Sequence, residues 1–395
     1  MLPRYYEFFN PVKIISGLKA LDNVPFELQQ LGARRPMLIT DPGVSKAGLL
    51  NTVLRAFADS ELHLGVVFDE VPPDSSLTTV KRAAELYHEH GCDALLAVGG
   101  GSVIDTAKAM NICITHNTSD LRHFAGANRL TSPLQPLLVV PTTAGTGSEV
   151  TSVALVYDDQ RQVKMIFTSP HLLPRLAVLD PRMIQTLPPL ATAATGMDAL
   201  SHTMEAFTCI QKNPLSDAYA WAAVELIAGN LLASVRQGKD TRYRLAMANA
   251  ATMAGIAFSN SMVGLVHSLG HAAGSVCRLP HGVVMSIFLP LVLEFNLPQI
   301  KAELGRLLLP LGGLEACAST EPEQRAQRVI DTVRDLQEQL SALCRLPRTL
   351  EEAGATRDRL GAIARKAMDD GSLVFNPREV AFDEALGLVK KAFAP

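Results

Sequence analysis

The chain has 395 residues, 48% of them hydrophobic, 19% charged and 5% aromatic, with a formal net charge of −3. That is enough apolar material to bury a sizeable core, which excludes disorder as the dominant state. It leaves no basic excess for a phosphate backbone and few rings for stacking bases, which excludes nucleic acid as a partner.

Residues 1–10 hold one arginine and a cluster of aromatics, without the charged, apolar and small-residue regions of a secretion signal. Apolar runs such as residues 286–295 are short and interrupted by Pro290, so none is expected to span a membrane, and a soluble chain follows. Six scattered cysteines with no C-x-x-C pair read as reduced thiols in a cytoplasm.

In chain order, strands are predicted at 36–40 (PMLIT), 64–68 (LGVVF), 94–98 (ALLAV), 137–140 (LLVV) and 176–179 (LAVL). Helical patterns lie between them; over 78–89, Val80, Ala83, Ala84 and Tyr87 fall at helical spacing and predict a crossover helix. Such alternation predicts a parallel sheet with helices on both faces. After Leu187-Pro188-Pro189 the pattern changes, with long Ala- and Leu-rich helices predicted over 218–235 and 242–259 and no strands between them. The boundary is placed at this double proline, giving an α/β domain over 1–187 and an all-helical domain over 188–395. Residues 311–323, with Gly312 and Gly313 near their start, are expected to be a loop, and 375–378 (FNPR) a break near the end.

Residues 94–108 read ALLAVGGGSVIDTAK, a buried strand, then Gly99, Gly100 and Gly101, then Ser102 opening a helix. Three glycines let a backbone approach a bulky anion, and the helix start offers N–H donors, so a pyrophosphate would fit. A tight turn closed by a Ser102/Asp105 capping box fits equally. A second loop at 141–149 (PTTAGTGSE) follows another strand; its small hydroxyl side chains suit ligand contact at the sheet's C-terminal edge, or a plain turn. The first strand lacks a G-x-G-x-x-G and ends Thr40-Asp41-Pro42-Gly43, where Asp41 could accept from an adenosine ribose or simply shape the turn.

In the helical half, Asp198 and His202 lie four residues apart, as do His267 and His271, and His281 follows. Each pair shares a helix face. A carboxylate with several imidazoles on facing helices makes a mixed N/O site for iron(II), zinc or another first-row ion, although any one histidine alone reads as an ordinary hydrogen-bonded residue. Cys209 and Cys277 share no spaced motif with these groups and read as core or supporting thiols.

The segments GGGSVIDTAK, PTTAGTGSEVT, TGMDALSHTMEA, AGIAFSNSM, VHSLGHAAG and PHGVVMSIFLP together resemble the iron-containing (group III) alcohol dehydrogenases, nearly end to end from Asp41 to Asn376-Pro377-Arg378. The resemblance implies a dehydroquinate synthase-like fold, an α/β dinucleotide-binding domain followed by an all-helical domain, with the active site in the cleft between them. By position it implies that Asp198, His202, His267 and His281 bind Fe2+, Zn2+ or another divalent metal, while His271 lies beside nicotinamide and substrate as a catalytic group. It implies that Gly99, Gly100, Gly101 and Ser102 hold the pyrophosphate of NAD, that Thr142, Thr143 and Ser148 line the nicotinamide side, and that Asp41 meets the adenosine ribose. The implied activity interconverts a small primary alcohol and its aldehyde by hydride transfer from a metal-bound alkoxide to NAD, in a homodimer or larger homo-oligomer. A polyol dehydrogenase or a dehydroquinate synthase-like cyclase is the alternative on this fold; the apolar helices around the metal motifs favour the small uncharged substrate. Cys277-Arg278-Leu279, before the last ligand, departs from the family's usual run.

Overall fold

The computed structural model describes residues 3–58, 60–161 and 163–393. The first compact unit, Asn10–Thr186, runs β1 (Lys13–Ser16), α1 (Val24–Gln30), β2 (Pro36–Ile39), α2 (Pro42–Lys46), α3 (Leu49–Phe57), β3 (Val66–Phe68), α4 (Leu77–Glu89), β4 (Ala94–Gly99), α5 (Gly101–His116), β5 (Gly126–Ala127), β6 (Leu137–Pro141), β7 (Val153–Asp158), β8 (Val163–Thr168) and β9 (Leu176–Leu179). Six strands form a parallel sheet in the order β1-β9-β6-β4-β2-β3. Alternate residues feed two cores: Leu95 and Ala97 join Val80, Ala83 and Ile104 on one face, and Leu96 and Val98 join Leu28 and Val53 on the other. Covering both faces is why these strands read as unbroken apolar runs and not as alternating ones.

Strand β2 has β3 on one side and β4 on the other, so the direction of strand addition reverses there. In open α/β sheets such a switch point opens a crevice beyond the carboxyl ends of the strands. The register sets Ile39 opposite Ala97, so Asp41 and the glycine run leave adjacent strands at nearly the same level. Two features went unanticipated. Strand β1 is a short edge strand with three of its four residues exposed, too little pattern to read. The sheet β5-β8-β7, whose β7 and β8 pair antiparallel, is a half-buried layer over α5.

The second unit begins at Leu187 and includes the N-terminal residues up to Phe9. There the Phe8 ring stacks on Tyr219 at 5.8 Å and the Phe9 N–H donates to Asn260 Oδ1 at 2.7 Å. The unit is built from α6 (Pro189–Thr208), α7 (Pro214–Arg236), α8 (Thr241–Ser259), α9 (Leu265–Cys277), α10 (His281–Arg306), α11 (Leu308–Ser319), α12 (Arg325–Cys344), α13 (Leu360–Met368) and α14 (Phe382–Ala392). Residues 311–323 are not the expected loop. Helix α11 covers most of them as two helical stretches joined across a kink at Gly313, whose φ of 84° is non-helical. Helix α10 continues through Pro290 and Pro298, because packing against α6, α9 and α12 outweighs the hydrogen bonds that proline removes. Continuing there makes α10, like α7, long and apolar enough to cross a membrane by length and composition, which corrects the expectation that no stretch would be. Both pack against α6 within this unit.

Candidate metal centre and cofactor loops

From Gly196 to Thr208 every residue of α6 is buried. Asp198, His202 and Glu205, at i, i+4 and i+7, therefore project from one face of a helix that water does not reach. His202 stacks on the His267 ring of α9, centroids 4.4 Å apart, and on Phe258 of α8 at 4.3 Å. His281, the first residue of α10, brings Nε2 to 3.3 Å from Asp198 Oδ1. One ligand atom from each of Asp198, His202, His267 and His281 lies within 4.8 Å of the others.

Asp198 Oδ1, His202 Nδ1 and His267 Nε2 are buried without a hydrogen-bond partner. Such orphans cost roughly 1–3 kcal/mol each in a folded protein unless something binds them. Three of them pointing at one another, with a fourth donor beside them, fit a divalent ion bound by one oxygen and three nitrogens. The electrostatics agree. Burial pushes the Asp198 carboxyl up, but His281, His202 and His267 outweigh it and hold it below the usual carboxylate range. Burial, with neighbouring imidazoles, drives His202 down to about 3 and His267 well below its ordinary value, so both rings are neutral and able to coordinate.

Glu205 was not singled out in the sequence, although its spacing from Asp198 and His202 marks the same face. Its Oε1 accepts the Val266 N–H at 2.7 Å, capping the start of α9, and its Oε2 accepts from His267 Nδ1 at 2.5 Å. One carboxylate thus fixes both the helix end and the tautomer that leaves His267 Nε2 for a metal. Asn376 closes the same corner. Its Oδ1 accepts the Leu265 N–H at 3.3 Å and the Asn296 amide at 2.8 Å. A Cβ on Gly264 would sit 3.1 Å from Asn376 Oδ1 and 3.2 Å from Glu205 Oε1, so a side chain there would push the two acceptors back by a few tenths of an ångström.

His271 lies one turn beyond His267 and outside the converging ligand atoms. Its Nδ1 is 2.9 Å from Asp370 Oδ2, and its ring stacks beside His281 at 5.5 Å. Cys209 is a buried core thiol that donates to Ser261 O at 2.8 Å, and burial pushes it up to about 12.

In the first unit the two loops face each other. The Thr142 N–H donates to Gly99 O at 3.1 Å, and Cβ atoms built on Gly100 and Gly101 would lie 3.3 Å from Thr143 Cγ2 and 3.2 Å from Thr146 Cγ2. Gly100 is the N-cap of α5 and provides no side-chain cap; its carbonyl accepts from both the Val103 and Ile104 N–H groups at 3.1 Å, so the Gly101 and Ser102 N–H groups precede the first bond of the helix. No Ser102/Asp105 capping box forms. Ser102 stands inside the helix and donates to Pro73 O, while the Asp105 carboxylate accepts from Ser148 Oγ at 2.8 Å and Leu155 N–H at 3.0 Å. Ser148 therefore has its hydroxyl committed to Asp105. Lys108, fully buried, donates to Thr151 O, Thr151 Oγ1 and Val153 O, which anchors α5 under both loops. Asp41 caps α2, its Oδ1 accepting from Gly43 N–H at 2.7 Å and Val44 N–H at 3.0 Å.

Comparison with known proteins bears on both halves. The iron-containing alcohol dehydrogenase family model matches residues 11–181, and the model of the C-terminal part of the Fe-containing alcohol dehydrogenases matches residues 192–393. The NAD-dependent methanol dehydrogenase of Bacillus methanolicus is 33% identical over 385 residues, covering 98% of this chain and 99% of that one. A choline dehydrogenase of Bacillus subtilis (strain 168) is 32% identical over 381 residues, covering 96% and 93%. The crystal structure of a 1,3-propanediol oxidoreductase is similar with a TM-score of 0.93 at 32% identity, covering 99% of this chain and 100% of that one.

Proposed function

Because the chain belongs to the iron-containing alcohol dehydrogenase family, we propose that it interconverts a small primary alcohol and its aldehyde with NAD(H), at a divalent metal held by Asp198, His202, His267 and His281. The observation that carries this is the convergence of three buried, partnerless ligand atoms with a fourth. A dication there supplies Lewis-acid chemistry, favouring an ionised hydroxyl or polarising a carbonyl. The chain's own residues do the rest. Gly99, Gly100, Gly101 and Ser102 hold a pyrophosphate on the α5 N-terminus; Thr142 and Thr143 line the nicotinamide side, with Ser148 bracing the loop through Asp105. Dinucleotide binding is assigned to the α/β domain of residues 1–187, less the segment up to Phe9 that packs with the helical unit, and metal and substrate binding to 188–395, in a cytoplasmic homo-oligomer whose six cysteines are free thiols. Anaerobic purification with metal analysis, followed by NADH oxidation over short aldehydes with polar and cationic members, tests the reading. Stoichiometric metal with turnover on part of the panel is expected. Protein that binds metal and NADH and turns over nothing would overturn it.

His271 passes the proton between substrate and solvent. It shares a helix face with His267, stays out of the ligand group, and its side chain is 30% exposed against 3% for His267. His271→Ala is expected to keep its metal and lose kcat by about 10²-fold or more. Loss of metal in that variant would show that the histidine roles are exchanged.

Asp41 favours NADH over NADPH. A carboxylate at this strand end accepts from a ribose 2′-hydroxyl and repels a 2′-phosphate, by about 2 kcal/mol or roughly thirtyfold. Its capping of α2 is compatible with this, since both N–H groups go to Oδ1. Asp41→Gly is expected to improve NADPH binding with little loss of stability, because glycine at an N-cap costs only a few tenths of a kcal/mol. Steady-state constants for both cofactors decide it; an unaltered ratio would leave Asp41 a capping residue alone.

A further inference from the structure

Two histidines stand one turn apart on α9, and each has a carboxylate on its Nδ1. For His267 the partner is Glu205 of the neighbouring helix; for His271 it is Asp370, ninety-nine positions further along the chain. Asp370 is itself held. Its Oδ1 accepts the Ser372 N–H at 2.9 Å, capping the turn Gly371–Phe375, and its side chain is only 15% exposed. That turn is pinned by Asn376 to the start of α9, and Arg378 beyond it donates to Phe295 O at 2.9 Å. Burial works against the Asp370 charge, but His271 and the Ser372 N–H hold its carboxyl down to about 2, so it is an acceptor only. The proton in the pair therefore sits on His271 Nδ1, and Nε2 is the nitrogen free to exchange one.

We infer that Asp370 is a positioning residue for the reaction, fixing His271 in the Nδ1–H tautomer and in the ring orientation beside His281 that proton transfer through Nε2 requires. The inference rests on the reading of His271 as the proton-transfer group. A carboxylate behind an imidazole acts in this way without taking up the proton itself. The backbone cap to Ser372 gives Asp370 a structural duty as well, so the test must separate the two.

A double-mutant cycle on the metal-loaded enzyme does so. Asp370→Asn, which keeps the cap acceptor, should lower kcat on the order of tenfold to a hundredfold while metal content and NADH affinity stay unchanged. In the His271→Ala background the same substitution should change kcat less than about twofold, since the group through which it acts is gone. Asp370→Glu should recover part of the rate. An equal proportional loss in both backgrounds, or loss of metal, would overturn the inference and leave Asp370 a brace of the C-terminal segment. If Asp370→Asn does not fold, Asp370→Ser retains a cap and serves in its place. His271→Ala slow with Asp370→Asn at full rate would sink this inference alone, whereas His271→Ala at full rate would sink the proton-transfer reading beneath it.

Discussion

His202→Ala and His267→Ala are expected to purify with little metal and to turn over slower by on the order of 10³-fold or more, while still binding NADH. Each removes a nitrogen that is buried and without a partner in the protein. The loops at Gly99–Gly101 and Thr142–Thr143 belong to the other compact unit. His267→Ala also strands Glu205, whose Oε2 loses its donor and whose carboxyl burial already pushes up to about 7. The same orphan atoms predict that metal stabilises the fold, by about 2.7 kcal/mol at a hundredfold excess over Kd. Thermal unfolding with and without added ion, beside metal analysis, reads both effects. Stoichiometric metal in both variants would refute the ligand assignment.

Gly282→Ala should damage the centre without altering any ligand. A Cβ there would lie 2.4 Å from Ala194 O and 2.7 Å from Ala194 C, backbone atoms of α6 one turn before Asp198 that cannot rotate away. The start of α10 must lift off α6, and His281, the preceding residue, moves from its place 3.3 Å from Asp198. Overpacking of this kind costs about 1–3 kcal/mol. The expected result is a loss of that size in denaturant unfolding of the metal-free protein, with weaker metal retention in chelator competition. Gly229→Ala on α7, where a Cβ meets nothing within 4 Å, is the control and should gain about 0.5–1 kcal/mol. Equal stability and metal affinity in Gly282→Ala would mean that α10 slides freely on α6.

What could be read in the sequence was what local pattern carries. The doubly covered strands, the helical second half, both glycine-containing loops and the i, i+4 histidine and aspartate pairs are short-range signals. The two prolines of α10 carried the opposite signal and tertiary packing overrode them, whereas in α11 the glycine signal survives as the kink at Gly313. Long-range partners had no local mark. Nothing near Asp370 announces His271, nor does Ser148 announce Asp105, because those contacts exist only once distant segments are packed. Glu205 is the intermediate case: its i+7 spacing was visible, but a buried glutamate on a helix face has no meaning until its partners are known.

The contacts of Asn376 and Asp370 with α9 also order events in time. Every ligand is present once the chain has grown to His281, but the Leu265 N–H and His271 Nδ1 find their partners only after residues 370–376 are made. A growing chain therefore owns the full donor set before it owns the groups that fix the start of α9 and orient the proton-transfer imidazole. The metal donors and the groups that hold them in place are thus made at different times. A chain clipped ahead of Asp370 would carry every metal donor and lack the acceptors of His271 Nδ1 and the Leu265 N–H.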